Sequence, residues 1–253
     1  MKNFIKVAAC QMRVTKNPEK NIERLVYWLK VAAKKKVDIV CFPEACIREF
    51  PYQVKFNDNA AKIVSEKCKK LKIHCIFGTY IKDKNKIFNC AFVIDDKGEI
   101  IYRYEKIHLW IGDKTQGASP GKQDIPIETK FGKIGVIICY DINFPDLVIK
   151  LARQGANIIF CPTFEVLTRE EKKHMTPAAI IIEHYEAVER AVDSESFVVL
   201  ADAYTRPKNT YALSQICSPD RIMRQIKGRE GLITADLKLS TIKKLREKGD
   251  FLK

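Results

Sequence analysis

Apolar positions change their spacing repeatedly along this chain, and each change marks an element. Residues 4–11 are an apolar run that predicts a first strand. Asn17-Pro18-Glu19 then opens a helix, with Asn at the cap and Pro at the first helical position. Ile22, Leu25, Val26, Leu29 and Ala32 recur at helical spacing, so that helix is expected to lay one face on a sheet. Residues 38–44 are apolar almost throughout, the pattern of a strand covered on both faces, and they end in Pro43-Glu44. A helix over about 59–71 and a strand over 73–81 follow. Strands over 86–95 and 99–105, joined by Asp96-Lys97-Gly98, read as an antiparallel hairpin with Lys106 just beyond it.

A loop closed by Ser119-Pro120-Gly121 leads to a β-branched run, 133–139, that ends in Cys139 and is followed by a helix over 146–153. Next come a strand over 157–161, a long helix over about 170–194, and strands over 197–201, 211–217, 221–225 and 231–236, with a last helix from Ser240. No internal repeat is visible. Helices alternate with strands in each half, so each half is expected to form a mixed sheet, and the two sheets to pair with helices outside. No Pro/Gly/Ser-rich linker divides residues 1–253, which are expected to form one domain.

Composition narrows the class. The chain has 253 residues, 46% hydrophobic and 30% charged, enough for a large core and typical of a globular protein. No apolar run approaches the ~18 residues of a membrane span, and the first residues lead into a strand pattern rather than a signal peptide. Nine cysteines are an odd number for a secreted disulfide framework, and Cys10, Cys41, Cys75, Cys90 and Cys161 lie in apolar runs. Reduced thiols in a cytoplasmic protein are expected. Cys-x-x-Cys is absent, and His74, His108, His174 and His184 are not spaced as metal ligands. The formal charge of +14 would suit a nucleic acid or an acidic membrane. Its lysines are spread along the chain, however, without a phosphate loop or an RNA-binding aromatic pattern, so neither partner is expected.

Three reactive side chains stand at expected strand ends: Glu44, Lys106 and Cys139. A lone cysteine is most simply a small core hydrophobe, and a lone Glu or Lys a solvated charge. Crevices at strand carboxyl ends are nevertheless where α/β folds place their sites. Cys139 would also lie near a helix N-terminus, where a thiolate is favoured.

With these residues in view, the sequence resembles the nitrilase superfamily of carbon-nitrogen hydrolases. The similarity runs from Val7-Ala8-Ala9-Cys10-Gln11 through Phe42-Pro43-Glu44, Phe88-Asn89-Cys90-Ala91, Tyr104-Glu105-Lys106-Ile107-His108-Leu109 and Ser119-Pro120-Gly121 to Cys139-Tyr140-Asp141. It implies a four-layer αββα sandwich of two mixed β-sheets. Within it Cys139 matches the nucleophile, Glu44 the general base, and Lys106 the residue that stabilises the tetrahedral intermediate, with the backbone N–H of Tyr140 beside it. It implies no metal or organic cofactor, and a homodimer joined through the helices after Asp146 and from Glu170.

The family commonly has another glutamate between the lysine and the Pro-Gly turn. Counting forward from Leu109 puts Asp113 at that position, and counting back from Gly121 puts Lys114 there. Asn143 stands where many amidase-like members have an arginine, and Arg190-Ala191-Val192-Asp193-Ser194 departs at both ends from the family's Arg-Ala-x-Glu-Asn. The tail, ending Phe251-Leu252-Lys253, is short. Cys-Tyr-Asp resembles amidases and carbamoylases more than nitrilases, which typically carry Cys-Trp-Glu. The implied activity is hydrolysis of a small linear amide or N-carbamoyl amine through a thioester. Nitrile hydrolysis, or a weakly active member acting as a binding protein, are the alternatives. His108 is expected to pack or position, and His174 and His184 to be half-exposed on the long helix. Pocket side chains are expected on loops 164–168 and 204–209.

Overall fold

Strand β1 (Phe4–Gln11) buries alternate residues in opposite directions: Ile5, Val7 and Ala9 face a second sheet, while Ala8 and Cys10 face helices. The computed structural model describes residues 4–47, 58–165, 176–205 and 212–248. After β1 come β2 (Ile39–Cys41), β3 (His74–Asp83), β4 (Lys86–Ile94), β5 (Ile100–Glu105), β6 (Ile127–Thr129) and β7 (Gly132–Val136). The remaining strands are β8 (Ile158–Thr163), β9 (Phe197–Asp202), β10 (Leu213–Ser218), β11 (Arg221–Lys227) and β12 (Gly231–Lys238). They form two six-stranded sheets, ordered β12-β1-β2-β3-β4-β5 and β11-β10-β9-β8-β7-β6.

Helices α1 (Pro18–Lys34) and α2 (Asp58–Leu71) cover the outer face of the first sheet, with Leu25, Leu29, Val64 and Cys68 packed on Phe77, Cys90 and Phe92. Asn17 caps α1, its side chain accepting from the Lys20 N–H at 2.8 Å. On the second sheet lie α4 (Pro145–Arg153) and α5 (Pro177–Asp193), whose Leu147, Leu151, Ala187 and Ala191 meet Ile159, Cys161 and Val198. Between the sheets, Val7, Ile39, Ile76, Ala91 and Leu237 pack on Val136, Ile158, Phe160 and Val199. The result is the expected four-layer αββα sandwich. No helix among the described residues is long and apolar enough to cross a membrane.

The structure departs from the sequence-based expectation in four places. The last strand does not stay with its half: β12 pairs antiparallel with β1, Phe4 opposite Lys238. A short strand, β6, precedes β7 where a loop was expected, and its three residues are too few to show a period. Residues 111–115 form a short helix, α3 (Ile111–Thr115). The run expected as a strand to Cys139 ends at Val136, and Cys139 opens a 3-10 helix (Cys139–Asn143) instead. His174, Glu170, Tyr211, parts of the two expected pocket loops and the tail fall outside the described residues. His184 lies on α5 and is half-buried.

The repeat that the sequence lacks exists in the topology. From β12 and from β6 alike, successive neighbours run antiparallel, parallel, parallel, antiparallel, antiparallel. The parallel strands at the centre of both sheets send their carboxyl ends toward the segments that carry Glu44 and Cys139.

Candidate active site

Glu44 follows β2 and is held by its backbone before its side chain is considered. Its N–H donates to Thr163 O across the sheet interface at 3.3 Å, and Pro43 O accepts from Gly78 N at 3.1 Å. The contact at Gly78 leaves no room for a side chain: a Cβ there would lie 2.6 Å from Glu44 Cα and 2.7 Å from Ala45 N. Lys106, one residue past β5, donates its N–H to Asn89 O at 2.8 Å and accepts from Gly121 N at 2.9 Å. Gly121 is needed for that approach, since a Cβ would fall 2.1 Å from Glu105 O.

The side chains converge on a buried cluster. Lys106, 2% exposed, donates from Nζ to Glu44 Oε1 at 2.9 Å and to Asp113 Oδ2 at 2.8 Å. Asp113 is buried and Lys114 exposed, so of the two residues the counts gave, Asp113 is the one turned into the site. Its other bonds come from Tyr80 OH (2.6 Å) and Asn89 Nδ2 (3.0 Å) on Oδ1, and from Trp110 N (2.9 Å) on Oδ2. The last of these links Asp113 to the residue preceding α3, which fixes the helix that a polar loop pattern with Gly112 concealed. Asn89 Nδ2 also donates to Glu44 Oε1 at 2.5 Å. Both donors to Glu44 therefore reach the same oxygen, and among the described residues none reaches Oε2.

Cys139 is the one half-buried cysteine; the other eight are buried, and all nine are free thiols. It holds φ at 47°, in the left-handed region that non-glycine residues seldom occupy. Asp141 supports this turn. Its Oδ2 accepts from Ile138 N (3.0 Å) and Tyr104 OH (2.8 Å), and its Oδ1 accepts from His108 N (2.8 Å) and lies 3.0 Å from His108 Nδ1. Tyr104 and His108 flank Lys106 in sequence, so one fully buried carboxylate ties the turn that presents Cys139 to the segment that presents Lys106. His108 also stacks on Phe144, ring centroids 3.5 Å apart.

Burial raises the Glu44 carboxyl above the ordinary carboxylate range; Lys106 pulls it back, and the Asp113 charge adds to the rise. For Lys106, burial works against the ammonium, but Glu44, Cys139 and Asp113 together outweigh it and its pKa is raised. Burial also opposes ionisation of Asp113, yet Lys106 and the hydrogen bonds around it hold its pKa down. The Cys139 thiol is pushed well up by burial and then by Glu44, with Lys106 and the Phe164 backbone opposing only in part. The expected help of a helix end to the thiolate is thus opposed, since burial and the Glu44 charge both favour the neutral thiol.

Sequence reasoning named Glu44, Lys106, Cys139, Tyr140 and Asp113. It gave no role to Tyr80, Asn89, Tyr104 or Asp141. Asn89, Tyr104 and Asp141 lay within the quoted motifs, and a polar residue inside an apolar strand was the signal that could have singled out Asn89.

Two mixed sheets back to back, with a lysine between two carboxylates and a thiol at a tight turn, define a class of hydrolase. The carbon-nitrogen hydrolase family model matches residues 6–247, and the chain belongs to that family. It is similar to the omega-amidase NIT3 of Saccharomyces cerevisiae, 28% identical over 275 residues that cover 96% of this chain and 90% of that one. The omega-amidase NIT2 of Xenopus tropicalis is 29% identical over 266 residues, 96% of this chain and 91% of its own. The crystal structure of Saccharomyces cerevisiae Nit3, a member of branch 10 of the nitrilase superfamily, superposes with a TM-score of 0.86 at 25% identity, over 99% of this chain and 96% of that one.

Proposed function

We propose that the protein hydrolyses the C–N bond of a small linear amide or N-carbamoyl amine through a thioester on Cys139. The observation that carries this reading is the Lys106 ammonium held between Glu44 and Asp113, near enough to Cys139 for the charges of Lys106 and Glu44 to act on its thiol. Similarity to omega-amidases supports an amide rather than a nitrile.

An amide carbon is a poor electrophile and a thiol a poor nucleophile, so attack requires a base at the sulfur. Glu44 has that role, and its Oε2, free of the bonds from Lys106 and Asn89, takes the thiol proton as Sγ bonds to the carbonyl carbon. Negative charge builds on the carbonyl oxygen, where Lys106 Nζ and the Tyr140 N–H receive it. Tyr140 is the second residue of its 3-10 helix, where an N–H has no partner within the helix. Loss of one such donor costs roughly 2.7–4 kcal/mol of barrier in other oxyanion holes. Collapse of the intermediate breaks the C–N bond, and Glu44 returns its proton to the departing ammonia or amine. A water that gives its proton to Glu44 then attacks the thioester, releasing the acid and the thiol. These groups account for every proton transfer.

Asp113 and Asn89 keep the pair in place, Asp113 by holding Lys106 charged and Asn89 by bridging the two carboxylates. Because the site takes residues from both sheets, we infer that residues 1–253 work as one domain; the family resemblance supports a homodimer, and the cysteine usage a cytoplasmic protein with reduced thiols. The test is ammonia release from a panel of amides, ureas and nitriles, with mass spectrometry of the Cys139 peptide. Wild type should turn over an amide or urea and carry an acyl adduct on Cys139. Cys139→Ala should be folded and inert, and Glu44→Gln should react slowly with electrophiles. Turnover by Cys139→Ala, or an adduct on another cysteine, would refute the mechanism.

A further inference from the structure

Asp202, the last residue of β9, is 1% exposed and has no part in the scheme above. Its carboxylate accepts three backbone N–H groups: Glu165 N at 2.9 Å and Ala203 N at 2.8 Å on Oδ1, and Leu213 N at 2.9 Å on Oδ2. One bond holds the chain just after β8, and another holds the first residue of β10. The segment it grips, 163–165, touches both reacting groups. Thr163 O accepts from Glu44 N and from Ala203 N, and the Phe164 backbone favours the Cys139 thiolate.

We propose that Asp202 is a positioning residue whose ionised carboxylate holds segment 163–165 in register, so that Glu44 and Cys139 keep their relative places. The proposal rests on the reading of Cys139 as nucleophile.

Three donors spread over both oxygens suit a carboxylate and no other side chain of that size. An asparagine has one acceptor oxygen, and its amide hydrogens would face a backbone N–H. The clamp is itself braced. Asp202 N donates to Ser214 Oγ at 2.9 Å, Ser214 Oγ donates to Gln11 Oε1 at 2.9 Å, and Gln11 Nε2 donates to Arg229 O at 2.8 Å. The groups that face Asp202 from β10 and β1 are thus neutral, Glu165 meets it through its backbone N–H, and among the described residues the charge that acts on it is Glu44.

Burial pushes the Asp202 carboxyl up to about 7, with Glu44 adding and the three N–H groups opposing. The sign follows. As pH falls through that value Asp202 takes up a proton, one oxygen becomes a donor, and the grip on 163–165 weakens while Glu44 titrates separately.

The test is the rate of Cys139 alkylation by iodoacetamide, read from the Cys139 peptide, and kcat/KM for ammonia release, between about pH 5.5 and 9. For Asp202→Asn both rates should fall at least tenfold at high pH, and the deficit should shrink toward low pH, where wild type carries its own proton. A wild-type to variant ratio that is constant across the range, at unity or above it, overturns the proposal. If Asp202→Asn does not fold, the Glu44→Gln protein decides. Its alkylation profile should still change slope, at a lower pH than wild type because the Glu44 charge no longer raises Asp202, on top of the rise from the thiol's own ionisation, and a profile without that change overturns the proposal. Alkylation needs no substrate, so a protein that turns over no amide but shows the pH-dependent ratio refutes the amidase reading and leaves this one standing.

Discussion

Asp113→Asn replaces one oxygen of the carboxylate that Lys106 shares with Tyr80, Asn89 and Trp110, and the consequences run outward to Glu44. Asp113 accepts four hydrogen bonds, two on each oxygen, and an amide can accept on one oxygen only. If the amide oxygen stays on Lys106 and Trp110, the new NH₂ faces Tyr80 OH, which can rotate, and Asn89 Nδ2, which cannot accept. Asn89 must then turn its own oxygen toward position 113 and withdraw its donor from Glu44. The substitution thus removes one anionic partner of Lys106 and disturbs the base as well. Hydrogen bonds to charged groups contribute about 1.5–3 kcal/mol, so kcat should fall at least tenfold, since a factor of ten corresponds to about 1.36 kcal/mol. The pH profile gives an independent check. The Asp113 charge raises Glu44 by more than the Asn89 bond lowers it, so losing both lowers the Glu44 pKa. The acidic limb of kcat/KM, which falls as Glu44 is protonated, should move to lower pH. Steady-state ammonia release across the pH range measures both effects. Wild-type kcat with an unmoved limb would show that Asp113 does not serve the site.

Asn89→Leu should move that limb the other way, because the Asn89 bonds lower both Glu44 and Asp113; a fall in Tm with no movement of the limb would mean that Asn89 only packs. Gly78→Ala drives a methyl group into the Glu44 backbone and should cost roughly 1–3 kcal/mol together with a lower kcat in the folded protein; calorimetry and kinetics that both match wild type would refute the close approach. Light scattering at micromolar concentration should give the mass of a dimer or larger, and an active monomer would refute the homodimer.

The features legible in sequence were those that need many residues to say the same thing. Buried central strands such as β1 and β8 are mostly apolar, and α1 announces itself by Asn17, Pro18 and a spaced apolar face. The ends were less legible, because Ile137 and Ile138 are as apolar as the strand before them, and only the hydrogen bonds of Asp141 turn the chain into a 3-10 helix there. The sheet to which β12 belongs was illegible, since its residues would suit either edge and pairing with β1 is settled by tertiary packing. Within the site, Glu44, Lys106 and Cys139 stand at expected strand ends, and their assignment came from the resemblance of the surrounding motifs to the nitrilase superfamily. Asp113 remained one of two candidates until α3 turned it inward. Tyr80, Asn89 and Asp202 act through geometry across strands, which a linear pattern does not display.

The pairing of Phe4 with Lys238 bears on how the molecule can be made. The first sheet presents β1 to β5 early in the chain, yet β1 lacks its outer neighbour until β12 has been synthesised. Closing a loop that spans nearly the whole chain is entropically slow relative to local pairing. A nascent chain therefore carries an unfilled sheet edge while the second sheet is still emerging, a state open to association with other chains. Glu44 and Lys106 come from the sheet completed by β12, and Cys139 from the other. Full order at Glu44, Lys106 and Cys139 should accordingly appear late, after long-range closure, and shortening β12 should slow refolding far more than shortening β11, which lies against β12 at the edge of the second sheet but pairs with its sequence neighbour β10.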